Sequence, residues 1–292
     1  MDTSSFSSVE KHFFDLNKTR GEKVKIPYIL VENFPKLGLI TALRFLEWVS
    51  ENPDGVISLP TGKTPEYFIK WVNYMLKHWD DEKGKDILKK YGLNHIDKPA
   101  LSGLHFVQID EIYPIDPQQH NSFHYYVNEY YIRSFGLDPA NALLINTAQI
   151  PLFEDRTYQE VFPDHKVDLS LRYREPASTF EDIQKESIMM IDNWCADYEQ
   201  KIRDKGGIGF FLGGIGPDGH IAFNIRGSDH YSTTRLTETN FKTQAVAAGD
   251  LGGIEISKNR LVITIGLSTI TYNPEAVAII IAAGEAKAEV VC

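Results

Sequence analysis

Cysteine is nearly absent: Cys195 and Cys292 are the two in 292 residues. That excludes a disulfide framework, and their isolation excludes a cysteine-rich metal site. Positive charge is in deficit as well, with 30 Lys and Arg against 40 Asp and Glu and a formal net charge of −10. General nucleic-acid binding needs a basic stripe to displace counterions, so no nucleic-acid partner is expected. Long apolar runs are missing. The most apolar window, AVAIIIAAG at 276–284, is about half the ~20 residues that a bilayer-spanning helix needs. The first residues, MDTSSFSSVEKHFFDLNKTRGEK, contain no apolar core of the signal-peptide kind. Internal repeats and low-complexity segments are absent too. These absences lead to an expectation of a soluble chain in a reducing, cytoplasmic setting, with no membrane partner.

What is present suffices for a large core, at 42% hydrophobic and 12% aromatic residues. Apolar residues at helical spacing in KLGLITALRFLEWVSEN predict a helix, and GVISLP predicts a buried strand ended by proline. TPEYFIKWVNYMLKHW predicts a helix with Thr64 as N-cap and Pro65 at the first helical position. The rhythm recurs: strand LHFVQI, helix SFHYYVNEYYIRSFG, strand ALLIN, helix SIMMIDNWCADYEQKIRDKGG, then strands IGFFLGG, RLVITIGL and AVAIIIAAG. Strands alternating with helices, several strands apolar throughout, predict an α/β fold with a doubly wound, mostly parallel sheet and helices on both faces. Residues 1–25 read as a polar, loose arm and 26–292 as one domain. The polar, Pro- and Asp-rich stretch 150–185 reads as an insertion in it.

In open α/β sheets ligands bind beyond the carboxyl ends of the strands, and three predicted strand ends carry unusual residues. After the first comes Thr61-Gly62-Lys63-Thr64. Its glycine lets backbone approach a ligand, its helix-start amides favour an anion, and its lysine adds positive charge. Past the second lie Asp110 and Glu111, adjacent carboxylates of which one can carry a proton. His120 and His124, a little further on, read equally well as packing groups. The third end is FLGGIGPDGHIAFNIRGSD, Phe211 to Asp229. Gly213, Gly214 and Gly216 leave room for a ligand, and Asp218 can orient His220 and stabilise its protonated form. Lys287, in GEAK, offers a further positive group.

Taken in order, LPTGKTP, IDEIYPIDPQQHNSFH, LGGIGPDGHIAFN and GEAK resemble the glucosamine-6-phosphate deaminase (isomerase) family and its relative, 6-phosphogluconolactonase. The resemblance runs from about residue 35 to 290, and GPDGHIAFN is its most specific part. It implies no metal and no cofactor, a small-molecule sugar phosphate as partner, and a chain compatible with a homo-oligomer. It places the phosphate near Thr61, Gly62, Lys63, Thr64 and Lys287. His220, oriented by Asp218, takes the role of the base that opens the sugar ring, and Asp110 that of the group moving a proton between C2 and C1. The product is a ketose phosphate plus ammonia.

Three features depart from the family pattern. The deaminases continue Ala-Phe-Asn with a glutamate of the ring-opening relay, where this chain has Ile225. The phosphate-contacting arginine expected downstream of Thr234-Arg235 falls, by a gap-free count, on Gly249, and Lys63 stands where the deaminases carry a small residue. Family members also continue for ~50 residues beyond the position of Cys292, so the C-terminal end of the domain is expected to be missing here. Two other readings therefore stand beside the deaminase: a lactone hydrolase in which His220 activates water, and a sugar-phosphate-binding module without turnover.

Overall fold

A computed structural model describes residues 6–17, 26–239 and 260–291. Helix α1 (Ser8–Asn17) is followed by α2 (Phe34–Glu51), strand β1 (Val56–Ser58), α3 (Glu66–His78) and α4 (Glu82–Lys90). Then come β2 (His105–Val107), β3 (Asp110–Tyr113), α5 (Phe123–Val127) with a π-helical turn over Asn128–Arg133, β4 (Ala142–Leu143) and α6 (Tyr158–Val161). Helix α7 (Thr179–Asp204), β5 (Phe210–Gly214), β6 (Arg235–Thr237), β7 (Leu261–Thr264) and β8 (Val277–Ile281) complete the frame.

The central sheet has the order β4-β2-β1-β5-β8, and every pairing in it is parallel. This is the mostly parallel, helix-covered arrangement expected from the sequence. Successive strand residues serve opposite faces. Ile57, Phe106 and Phe210 enter the core made with α2 and α3, while Val56, Val107 and Phe211 enter the one made with α7. Both faces being covered explains why these strands read as continuous apolar runs rather than alternating ones. Helix α2 is capped by Asn33, whose side chain accepts from Lys36 N at 2.9 Å. It packs closely on α3 because Gly38 lacks a Cβ, which would sit 2.4 Å from that of Tyr67.

Several expectations need correction. Within the polar N-terminal stretch, Ser8–Asn17 is helical and docked rather than loose. Val9 and Phe13 are fully buried, and Glu47 Oε1 accepts from Ser8 N at 2.8 Å. The helix predicted from Thr64 begins at Glu66, with Pro65 in the cap position and no side-chain cap, so Thr64 belongs to the loop. RLVITIGL joins a second, three-stranded sheet of order β3-β7-β6, which is antiparallel. Asp110 and Glu111 do follow β2, and they open β3 in that sheet. The chain changes sheets over two residues. The Gln108 side chain braces the step, donating Nε2 to Asp110 O at 2.8 Å and accepting from Ile145 N at 2.9 Å. Across 150–185, short 3-10 turns and α6 lead into α7, which starts within that stretch and earlier than predicted.

Candidate active site

The parallel strands β1, β5 and β8 deliver their carboxyl ends to one rim of the sheet. Thr61–Thr64 follow β1, Gly213 and Gly214 end β5, and Lys287 lies in a 3-10 turn just after β8. β3 and β7 stand beside this rim and bring in Asp110. A cavity of about 340 Å³ elsewhere, lined by Val49, Pro53, Ile96 and Pro99 among others, contains none of these residues.

Asp110 is 8% exposed and Glu111 fully buried. Glu111 is held by four donors. Ile112 N at 2.9 Å and Phe123 N at 3.0 Å bond its Oε1; Ser122 Oγ and His124 N, both at 2.7 Å, bond its Oε2. Burial raises its pKa to about 7, against the pull of those four donors. The Asp110 carboxyl has no such donors among the described residues. Burial, and then the Glu111 charge beside it, push its pKa up to about 8. The two acids thus sit in different environments. Glu111 accepts four hydrogen bonds and clamps the start of α5 onto β3; Asp110 is a buried carboxyl whose proton is held up to about pH 8.

Asp218 and His220 form the expected pair, with Oδ1 to Nδ1 at 2.6 Å and both side chains largely buried. His220 is closely packed. Its ring stacks on Phe223 at 5.4 Å and 20°. It also lies against Gly216, where a Cβ would come as near as 2.2 Å to the ring. The turn that aims Phe223 is tight: Ala222 has φ 52, an uncommon value for a residue with a Cβ. Asn224 closes it by donating Nδ2 to Ile221 O and Ile265 O.

Two contacts join this pair to the carboxylates. Phe223 N donates to Thr264 Oγ1 at 3.1 Å, and Thr264 is the cross-strand partner of Asp110. The Phe223 ring also stacks on Phe123 at 6.3 Å and 11°, and Phe123 N is one of the donors to Glu111. Asp110, Glu111, Asp218 and His220 therefore belong to one cluster. The loop after β1 is tied to the same helix, since Tyr126 Oη donates to Gly62 O at 2.9 Å and Tyr131 Oη to Pro60 O at 2.5 Å. Gly62 has φ 89 and open space where a Cβ would stand. Gly213 is packed against the Phe211 ring, whereas Gly214 borders open space. Lys63 is exposed. Lys287 is half-buried, and desolvation lowers its pKa. Among the described residues no cluster of three His, Cys, Asp or Glu is placed to hold a metal, and no helix is long and apolar enough to cross a membrane.

No family model matches the chain. It is 42% identical over 91 residues to the glucosamine-6-phosphate isomerase of Candida albicans, covering 31% of this chain and 37% of that protein. It is 27% identical over 242 residues to glucosamine-6-phosphate deaminase 2 of Xenopus tropicalis, covering 82% of this chain and 67% of that one. In sequence the chain is similar to glucosamine-6-phosphate deaminases. A solved monomeric glucosamine-6-phosphate deaminase shares its fold, with a TM-score of 0.63 at 21% identity over 89% of this chain and 83% of that one. The match to the Candida relative spans well under half of that protein's length.

Against the deaminase pattern, Ile225 is 36% exposed at the end of the Phe223–Asn224 turn. Gly249 and Cys292 lie outside the described residues. His120 packs edge-on against Tyr125 at 4.7 Å, whereas His124 keeps a buried Nδ1 without a partner among the described residues. Sequence reasoning missed four parts: Glu111 as clamp, Phe123 and Phe223 as the aromatic bridge, and Gly216 as the seat of the imidazole. Gly216 and Phe223 were inside the quoted motif. Glu111 was visible only as one half of an acidic pair.

Proposed function

We propose that this chain converts an amino-sugar phosphate, glucosamine 6-phosphate or a close analogue, to a ketose phosphate with release of ammonia. The observation that carries the reading is the contact chain from Asp110 through Thr264 and Phe223 to His220, which joins a proton-carrying carboxyl to an oriented imidazole. In this reading the phosphate rests on the Thr61–Thr64 loop, with Lys63 and Lys287 as neutralising charges and Gly213 and Gly214 leaving room for the sugar. His220, its Nδ1 directed to Asp218, takes the proton of the C1 hydroxyl through Nε2 as the bond from C1 to the ring oxygen breaks. His220 passes that proton to the ring oxygen, and an open-chain aldehyde results. That carbonyl acidifies the C2–H bond. Asp110 removes the C2 proton while the C1 oxygen takes up a proton given up by the C2 ammonium, leaving a neutral enolamine; Asp110 then returns its proton to C1, which leaves an iminium at C2. Water then adds to the C2 iminium carbon, and ammonia leaves.

Burial keeps Asp110 protonated near neutral pH in the free chain. An ammonium at C2 of the substrate supplies the opposite charge that returns the carboxyl to its basic form. The amino group is thus both leaving group and activator. Ile225, standing where the deaminases carry a relay glutamate, favours a second reading, a sugar-phosphate-binding chain without turnover. We read the molecule as one cytoplasmic domain over 26–292, with 150–185 an excursion from it, and as compatible with a homo-oligomer.

The test is ammonia release from glucosamine 6-phosphate by the purified chain, run beside hydrolysis of 6-phosphogluconolactone. Ammonia and ketose phosphate in equal amounts, lost in Asp110→Asn, support the proposal. Tight binding with no product supports the binding module instead, and lactone hydrolysis alone would replace both.

A further inference from the structure

The loop after β1 is held by two phenols that no general feature of a helix start requires. Tyr126 Oη donates to the carbonyl of Gly62 and Tyr131 Oη to that of Pro60. A trans peptide is planar, with its C=O and the next N–H pointing in opposite directions. Each phenol that draws a carbonyl toward the helix therefore turns the following amide, Thr61 N–H or Lys63 N–H, away from it. No intramolecular acceptor for the amides of Thr61, Gly62, Lys63 or Thr64 exists among the described residues. Gly62, at φ 89, lets the backbone take this shape without a Cβ in the way.

The helix is built for the double contact. Residues five apart on an α-helix lie about 140° apart around its axis, so Tyr126 and Tyr131 would face different neighbours. The chain widens into a π turn over Asn128–Arg133, where the hydrogen-bond step is five residues. Tyr126 and Tyr131 consequently share a side, with ring centroids 6.0 Å apart. Both phenols are desolvated, which raises their pKa values and keeps them protonated donors. The N-terminus of the same helix is the part clamped by Glu111.

We propose that Tyr126 and Tyr131 are positioning residues for phosphate recognition, presetting the Pro60–Lys63 peptides so that the Thr61 and Lys63 amides are presented to a phosphomonoester. The inference rests on the phosphate site of the preceding reading. It adds that the anion-binding shape of the loop is imposed by α5 and its π turn rather than intrinsic to the loop.

The experiment compares wild type, Tyr126→Phe and Tyr131→Phe in binding titrations with glucosamine 6-phosphate, inorganic phosphate and phosphate-free glucosamine, together with thermal unfolding. Tyr126 is only partly buried, so its phenylalanine variant should fold. It is expected to bind glucosamine 6-phosphate and inorganic phosphate about three- to tenfold more weakly, the worth of one ordinary hydrogen bond. Glucosamine binding should not change. Where turnover is measured, KM should rise with kcat nearly constant. Tyr131→Phe, which strands a buried carbonyl, should weaken phosphate binding at least as much and also lower the unfolding temperature. Unchanged phosphate affinity in a folded Tyr126→Phe chain, or equal losses for glucosamine and its 6-phosphate, would overturn the proposal. A wild type that binds sugar phosphate with full affinity but yields no ammonia would sink the reaction and leave the positioning role standing. A wild type that binds neither phosphate would overturn the site and this inference together.

Discussion

Replacing Asp110 by Asn should make the chain more stable, and more so as pH rises. The carboxyl moves from an ordinary 3.8 in the unfolded chain to about 8 in the fold, chiefly through burial. A group whose folded pKa is raised contributes its stability fully below the unfolded value, and the contribution is lost as pH rises through the folded value. Between about pH 5 and about pH 8 the folded chain retains the proton and the unfolded chain does not. Each pH unit then removes about 1.4 kcal/mol, a ceiling of about 4 kcal/mol over the span. Structural relaxation and water penetration reduce such buried-charge costs, and about 2 kcal/mol is the working figure. For a chain of this size the figure corresponds to about 4–8 °C in Tm. The assay is thermal unfolding of wild type and Asp110→Asn at about pH 5 and about pH 8. The advantage of the variant should widen by that amount at the higher pH. An offset that stays constant or narrows would refute the claim that Asp110 is a proton-holding buried acid.

The same titration sets the activity profile. A base must be ionised to act, so kcat/KM should climb about tenfold per pH unit up to about pH 8. The limb in kcat should lie lower, since the bound ammonium stabilises the carboxylate; a kcat/KM flat from about pH 6 to 8 would contradict this. Gly216→Ala places a Cβ against the His220 ring and should cut turnover by about 10²-fold or more, the typical worth of an acid–base group. Retained turnover would mean that the ring is not held there. Lys63→Ala removes an exposed charge and should raise KM for glucosamine 6-phosphate about five- to tenfold at low salt, less at high salt; unchanged KM removes the lysine from the site. Ile225→Glu costs little to fold, because the position is exposed, and should raise turnover several-fold if the isoleucine is a lost relay group. No gain in a folded, ligand-binding variant counts against that account.

Much of this architecture was legible in the sequence. Apolar strands such as Phe210–Leu212 declare a sheet covered on both faces, and the glycine-rich run before Asp218 and His220 declares a strand end kept clear. The antiparallel sheet was not legible. Leu261–Thr264 is as apolar as a parallel strand, because pattern records burial and not the direction of the partner. The start of β3 was hidden because Asp110 and Glu111 look like loop acids until the four donors to Glu111 are seen. The π turn was hidden for a related reason: NEYYIR has ordinary helical character, and nothing in its residues marks the wider hydrogen-bond step.

A crystal structure of the chain with glucosamine 6-phosphate bound tests the central claim most directly. The account predicts the phosphate on the Thr61 and Lys63 amides, C2 facing the Asp110 carboxyl and the C1 hydroxyl facing His220. A phosphate seated elsewhere, or a C2 turned away from Asp110, would contradict it.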